Sequence, residues 1–371
     1  MECVTDRARL RAALDQVAAV TSGKMTKDIL KSVRMSCTGD RLNLLATNEE
    51  VWISADVDCK AAGPFECLLP TAKLQSILSE LTHPEVTLDA EDGRLFVRSQ
   101  LSEFRLATEG VGDFPPMPNL DGQDVEVSAA DLTRLLQRTV FATDTESERY
   151  SLGGVRFEFS YATQTLVCAA TDTRRLSVDD CSCTLLPAAA NNGTEFCGVI
   201  PAKAVHLLLR MLSASGSAPA RIGFGSNQWT FRVGSYVLAT RLVQGRFPDW
   251  RKVVPKCDSR VALTVGPFYR AIRQSMIVRN EESRGVLFAM RTGVLCLKGS
   301  ASSIGESRIE LPVGYAGEDV TAMLDPAYFA DLLKLLDAES TVDLSILSKD
   351  DPLLLRQDAL TYVAMPLSME K

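Results

Sequence analysis

The 371-residue sequence holds only two histidines, His83 and His206, and neither lies in a ligand pattern. A structural zinc site takes four ligands, usually as two close pairs. The one close cysteine pair, Cys181 and Cys183, has no second pair to join. Neither a metal nor a cofactor is expected. Catalytic signatures are missing as well: there is no Gly-x-Ser-x-Gly elbow, no glycine-rich phosphate loop and no His-Glu-x-x-His helix. Those absences remove the common routes to acyl transfer, nucleotide chemistry and metal-assisted hydrolysis. No run approaches the ~18 apolar residues that span a bilayer, and residues 1–7 lack the apolar core of a signal peptide. A cytoplasmic protein without membrane contact is expected, its ten cysteines reduced. Most of them fall in apolar strand-like runs such as Val167-Cys168-Ala169 and Leu295-Cys296-Leu297, where a thiol serves as a small buried hydrophobe.

What the sequence does have is repetition. Three segments read as a short strand followed by an amphipathic helix: Cys3-Val4-Thr5 before Leu10, Val125-Glu126-Val127 before Leu132, and Val261-Ala262-Leu263 before Phe268. Each large residue is followed three and four positions later by small or apolar ones, which makes one helix face. A second marker recurs out of phase with the first: Leu69-Pro70, Ile200-Pro201 and Asp325-Pro326, each expected to put proline in the first turn of a helix. The two markers repeat at intervals of 122 to 136 residues. Fixed-period similarity of this kind means tandem copies of one unit. Between the helices lie short alternating strands, among them the hairpin Trp229–Val233 and Tyr236–Thr240 around Gly234-Ser235. Proline-rich linkers at Phe114-Pro115-Pro116-Met117-Pro118 and Phe247-Pro248-Asp249-Trp250 close the first two units. The expected domains are 1–120, 121–250 and 251–371, in an α+β class with two helices and antiparallel sheets each, and residues 187–193 form a surface insert.

The charge is uneven. The chain carries −7 overall. Six expected helices, 6–16, 70–81, 128–140, 201–212, 266–279 and 325–338, together carry +5 and leave −12 for the rest. Basic helices in an acidic protein suit loose, sequence-blind attraction to phosphates.

Several segments resemble one family. Ala170-Thr171-Asp172-Thr173-Arg174-Arg175-Leu176 is similar to the Ala-Thr-Asp-Gly-His-Arg-Leu segment of the bacterial DNA polymerase III beta subunits. Gly245-Arg246-Phe247-Pro248-Asp249-Trp250 resembles that family's Gly-x-Phe-Pro-Asp-Tyr linker, and Tyr362-Val363-Ala364-Met365-Pro366-Leu367 its C-terminal strand. The matching segments span the whole chain in order. The resemblance implies three tandem clamp-type domains in a head-to-tail homodimeric ring, closed around double-stranded DNA. Such a ring is a non-catalytic processivity factor that holds the DNA polymerase III catalytic subunit, the clamp loader and other proteins bearing clamp-binding peptides. It implies a peptide groove at Leu152, Thr171, Thr173, Arg174, Arg175, Leu176, Pro248, Lys252, Val253, Tyr328, Val363, Ala364, Met365, Pro366 and Leu367. DNA-facing residues would be Arg7, Arg11, Lys24, Lys27, Arg134, Arg138, Tyr150, Lys203, Arg210, Arg270 and Arg273. The interface between copies would use Phe104, Leu106, Ile277 and Val278. The sequence departs from the family at Thr173 and Arg174, where Gly-His is usual, at Ser283, at Asp325 in place of Asn, and after Leu367. Two other readings remain open: a clamp paralogue with different partners, and a thiol-dependent enzyme around Cys181 and Cys183.

Overall fold

The computed structural model describes every residue except 1, 24, 119–122, 145–149, 187–194, 258–259, 280–283, 303, 347 and 368–371. The surface insert predicted at 187–193, Ser283 and the residues after Leu367 lie outside the described residues.

Six helices carry the repeat: α1 (Arg7–Ala18), α2 (Thr71–Glu80), α3 (Ala129–Val140), α4 (Ala202–Ala214), α5 (Val265–Ser275) and α6 (Pro326–Leu333). The marker residues Leu10, Leu132 and Phe268 are fully buried, one on each of α1, α3 and α5. In α1 the buried positions Leu10, Ala13, Leu14 and Val17 fall at helical spacing on one face. The helix starts where the Asp6 carboxylate accepts a hydrogen bond from the Arg9 amide at 2.8 Å, satisfying one otherwise orphaned N–H. The proline marker differs slightly from expectation. Pro326 is the first residue of α6, but Pro70 and Pro201 each end the strand that feeds α2 or α4. Proline is tolerated there for the same reason, because the last strand residue before a helix can do without its N–H. Asp325 caps α6 by accepting the Ala327 amide at 2.9 Å, so the carboxylate does the work of the family's asparagine.

Two compact units share the chain. The first comprises residues 1–133, 183–193 and 203–242, and the second comprises 134–182, 194–202 and 243–371. The units therefore cut through the middle repeat, and strand pairing gives the reason. In the first unit, Tyr236–Thr240 runs antiparallel to Val51–Ala55 and draws half of the middle repeat into one 13-stranded sheet with the first. In the second unit, Arg175–Val178 runs antiparallel to Thr361–Ala364 and joins the other half to the last repeat in an eight-stranded sheet. A separate four-stranded sheet completes the second unit. Among the strands that end their sheets with a single neighbour are Ser102–Ala107 in the first unit and Gly305–Pro312 in the second.

Each unit has its own core. In the first, Leu45, Trp52, Leu68, Phe114 and Ala239 pack together, so the expected linker residue Phe114 is a core residue at 4% exposure. In the second, Phe329 of α6 packs between Phe288 (ring centroids 5.3 Å apart), Tyr362 (6.2 Å) and Phe268 (6.4 Å). The Tyr362 hydroxyl donates to the Tyr328 carbonyl at 2.8 Å, which keeps the buried phenol satisfied. Phe329→Ala should cost about 3–5 kcal/mol through lost burial and the cavity left behind. Denaturant unfolding followed by circular dichroism measures it, and a loss under about 1 kcal/mol would mean that this cluster is not a close-packed centre.

Candidate peptide-binding groove

The segment Thr171–Arg175 builds one side of the site. The Thr171 hydroxyl donates to the Arg175 carbonyl at 2.7 Å and accepts the Thr173 amide at 3.1 Å. The Asp172 carboxylate accepts the amides of Arg174 and Arg175 at 3.0 and 2.9 Å. These local bonds hold Thr173 at φ +75°, left-handed backbone that a β-branched residue rarely adopts. The family's glycine at this position would be free of that strain. Thr173 and Arg174 both point into solvent.

Arg175 does not behave as a free rim cation. Its guanidinium pairs with Asp172 at 3.0 Å and Asp331 at 2.8 Å, and donates to the Phe141 carbonyl at 2.9 Å. It also lies over the rings of Phe141 and Tyr328, at 5.3 and 4.9 Å. Its donors are largely committed, and it locks α6 to the start of the strand Arg175–Ser182. Burial pushes the Asp331 carboxyl up, but Arg175 and Lys334 outweigh that and hold it below the usual range.

The floor is apolar. Leu176 and Val363 are register partners across the strand junction and share a cluster with Phe247, Val178 and Leu354. Trp250 and Val254 pack against it. Beyond the last strand, the Met365 amide donates to the Arg174 carbonyl at 2.8 Å, and the Leu367 amide to the Met323 carbonyl at 2.8 Å. Met365, Pro366 and Leu367 are thereby held half-exposed beside the Thr171–Arg175 segment. Val253 and Pro248 stand exposed on the neighbouring loop, and Lys252 pairs with Asp249 at 3.1 Å. That loop is anchored through Glu158, which accepts from Arg251 at 2.7 Å and from the Trp250 indole at 3.3 Å. Burial pushes the Glu158 carboxyl up, but Arg251 and Arg156 more than offset this and lower it.

Five of the expected groove residues are corrected in role: Leu152, Val363 and Ala364 are at most 1% exposed, Leu176 3% and Thr171 8%, so they form or underlie the floor and do not reach the rim. Sequence reasoning missed Phe141, Asp331, Glu158 and Met323. Phe247 and Trp250 were quoted in the linker motif, yet nothing in the motif marks their inward side.

The expected DNA-facing cations divide. Arg134 and Arg138 pair with the fully buried Asp179 at 2.6 and 3.5 Å, so their charge is spent inside the protein. Arg7 is half-buried and donates to the Leu78 carbonyl of α2 at 3.4 Å. Arg11 lies 3.9 Å from Asp15 and Lys27 2.6 Å from Glu49, both at the surface. Arg210 reaches the Asp15 carbonyl at 3.4 Å. Lys203, Arg270 and Arg273 are exposed and make no ion pair among the described residues, Arg273 lying 5.8 Å over Tyr269. Lys24 and the Tyr150 side chain lie outside the described residues.

Of the expected interface residues, Ile277 is 74% exposed and Phe104 36%, while Leu106 and Val278 are half-buried. Six large hydrophobic side chains are exposed among the described residues, and four of them flank the edge strands Ser102–Ala107 and Gly305–Pro312: Leu101 and Phe104 on one, Ile304 and Ile277 near the other. Cys181 and Cys183 are buried, and burial pushes the Cys183 thiol up to about 11, which is unfavourable for a nucleophile.

Three successive family models match the chain: the DNA polymerase III beta subunit N-terminal domain over residues 1–138, its central domain over 126–249 and its C-terminal domain over 251–368. The chain belongs to the DNA polymerase III beta subunit family. Relatives include the beta sliding clamp of Proteus mirabilis, 30% identical over 349 residues that cover 91% of both chains. That of Escherichia coli K12 is 29% identical over 381 residues covering all of both. A Pseudomonas aeruginosa sliding clamp bound to griselimycin superposes over all of both chains with a TM-score of 0.92 at 26% identity. The Bacillus subtilis clamp shares the fold, with a TM-score of 0.91 at 19% identity. As in those beta subunits, the chain consists of three tandem clamp-type domains of α+β class. No described helix is long and apolar enough to cross a membrane.

Two measurements probe the groove's scaffold. Thr173→Gly should stabilise the protein by up to about 1 kcal/mol, because relief of about 1–2 kcal/mol of left-handed strain is partly offset by glycine's freer unfolded state. Thermal unfolding reads this, and a destabilised variant would mean that Thr173 is not strained. Because the folded carboxyl of Glu158 is lowered, its contribution is present above its ordinary value of 4.5 and lost as pH falls through the folded value. Acidification should therefore loosen the Trp250 loop and alter its fluorescence. Glu158→Gln should show the loosened signal already at neutral pH and lose that acid-dependent change.

Proposed function

We propose that two copies of this chain close head to tail into a ring around double-stranded DNA, each contributing domains 1–120, 121–250 and 251–371. The ring acts by topology, as a cytoplasmic, non-catalytic processivity factor. The observation that carries this reading is that two of the strand edges, Ser102–Ala107 and Gly305–Pro312, have exposed apolar residues beside them. An unpaired edge exposes a row of N–H and C=O groups and invites another strand. Two different edges on one chain can satisfy each other only between copies, and when the rotation closes the result is a ring. Ile277 and Phe104 would then be covered. Gly299 supports the arrangement, because an added Cβ would sit 2.0 Å from the Val278 carbonyl and displace the turn that presents Ile277.

Ile277→Asp with Val278→Asp would bury unpaired charge and should yield monomers in analytical ultracentrifugation. A double variant still dimeric at micromolar concentration argues against this interface. Ring function predicts retention on circular DNA and loss on linearised DNA.

DNA attraction on this reading comes from cations that the protein has not already paired, chiefly Lys203, Arg270 and Arg273. Replacing Arg270 by Ala should lower the slope of log affinity against log salt by roughly one at most. Arg138→Ala should leave that slope alone and instead destabilise the fold, because it strands the buried Asp179. Equal slope changes for both would mean that Arg138 also reaches phosphate.

The groove beside Leu176, Val253 and Met365 would take short peptides with a Gln and closely spaced Leu and Phe anchors. These are carried by the DNA polymerase III catalytic subunit, the clamp loader and other clamp-binding proteins. Burying about 100–150 Å² of apolar anchor contributes roughly 3 kcal/mol at 25 cal/mol per Å², and ordering the peptide offsets part of the binding, so micromolar affinity is expected. Deleting Met365 onward should abolish peptide binding in calorimetry and leave the dimer intact. An unreduced binding heat after that deletion places the anchors elsewhere.

A further inference from the structure

Three cysteines far apart in sequence converge in the first unit. Cys3 lies on the strand Glu2–Asp6, Cys37 on Ser32–Thr38 and Cys59 on Val51–Ala61. The registers explain the meeting. Thr5 is paired with Cys59, which puts Cys3 two residues along the same ladder, on the same face. Cys37 comes just before the turn that leads to Arg41, and the Cys59 amide donates to the Asp40 carbonyl in that turn at 3.0 Å. All three sulfurs lie within 4.8 Å of one another, and those of Cys37 and Cys59 are 3.7 Å apart. The residues are 0%, 1% and 8% exposed.

We propose that Cys3, Cys37 and Cys59 form a trigonal all-sulfur site for a soft monovalent cation, Cu(I). Three sulfurs at a metal–sulfur length of about 2.3 Å in a trigonal plane stand about 4.0 Å apart. The Cys37 and Cys59 sulfurs, 3.7 Å apart, are close to that spacing, and no pair is more than 4.8 Å apart. Donor type and number select the ion. Thiolate sulfur favours Cu(I) among the available metals. A closed zinc site takes four ligands, and this cluster among the described residues offers three. Burial leaves little room for water as a fourth. The three converging donors are all sulfur, which hard cations such as Mg²⁺ do not favour. Ligating sulfurs are thiolates, so Cu⁺ binding to the three thiols releases three protons and leaves a tris-thiolate complex of net charge −2.

The test uses the full-length chain with its exposed Cys197 replaced by serine. Cu(I) is titrated without oxygen against a colorimetric Cu(I) chelator. One equivalent per chain is expected, with X-ray absorption showing three sulfurs at about 2.3 Å. Release of three protons means that the apparent association constant falls about 1000-fold per unit drop in pH. The melting temperature should rise on loading, because the ion binds the folded chain. Cys3→Ala and Cys37→Ala should each remove the tight equivalent, with circular dichroism confirming the fold. Uptake unchanged in both variants, nitrogen or oxygen in the absorption spectrum, a pH-independent constant, or preferential uptake of Zn(II) would each overturn the proposal. Should a variant fail to fold, the absorption spectrum and pH slope of the parent chain still decide.

Discussion

The antiparallel ladder between Arg175–Val178 and Thr361–Ala364 is the constraint on which the candidate site depends. It sets Leu176 opposite Val363 and so creates the apolar floor. The same ladder brings the Arg174 carbonyl to the Met365 amide and aims the Arg175 side chain at Asp331 of α6. Interactions further out follow from that alignment. Tyr328 lies under the Arg175 guanidinium, and the Tyr362 hydroxyl bonds back to the Tyr328 carbonyl. A one-residue slip would reverse every side chain of the strand Leu360–Ala364, exchanging the buried Tyr362 and Ala364 with Thr361 and Val363. The buried aromatic cluster around Phe329 resists that slip, which ties the groove's geometry to the core of the second unit.

The helices were legible in the sequence because their buried positions recur at helical spacing and because caps such as Asp6 and Asp325 are local signals. The strand alternation and the Gly234-Ser235 turn were legible for the same reason. The seams were not. Tyr236–Thr240 looked like a complete hairpin arm, and only the structure gives it Val51–Ala55 as a second neighbour. Pairing between segments about 180 residues apart leaves no periodic trace. The site divides in the same way. Motif resemblance marks Leu176, Val253 and Met365 alike as groove residues, but it does not distinguish an exposed residue such as Val253 from a buried one such as Leu176. Leu152, Val363 and Ala364 were therefore read as lining although the structure buries them.

Charge shows the same limit more sharply. Summing charge over helices counts Arg134, Arg138 and Arg270 alike. The structure separates them, because Asp179 is fully buried and takes both Arg134 and Arg138 as partners. A buried carboxylate needs such pairing, since an isolated charge out of water is costly. The two cations are thus committed to the fold before any phosphate is offered. Fewer free cations mean a shallower dependence on salt and a weaker hold on DNA. For a ring whose attachment is topological, weak non-specific attraction is an advantage, because strong ion pairing along the duplex would resist sliding.

The Thr171–Arg175 segment illustrates how a departure from the family pattern is absorbed. Replacing a glycine in left-handed backbone by threonine costs conformational energy. The loop retains its shape because Thr171 and Asp172 satisfy the backbone of Thr173, Arg174 and Arg175 from within. Arg175 then clamps the end of the loop to Asp172 and Asp331. The constraint is over-determined, which is the condition under which strained residues persist. The exposed side chains at 173 and 174 can therefore change without moving the floor, so the variable part of the groove is its rim, while Leu176 beneath it is held by the ladder and by the core behind.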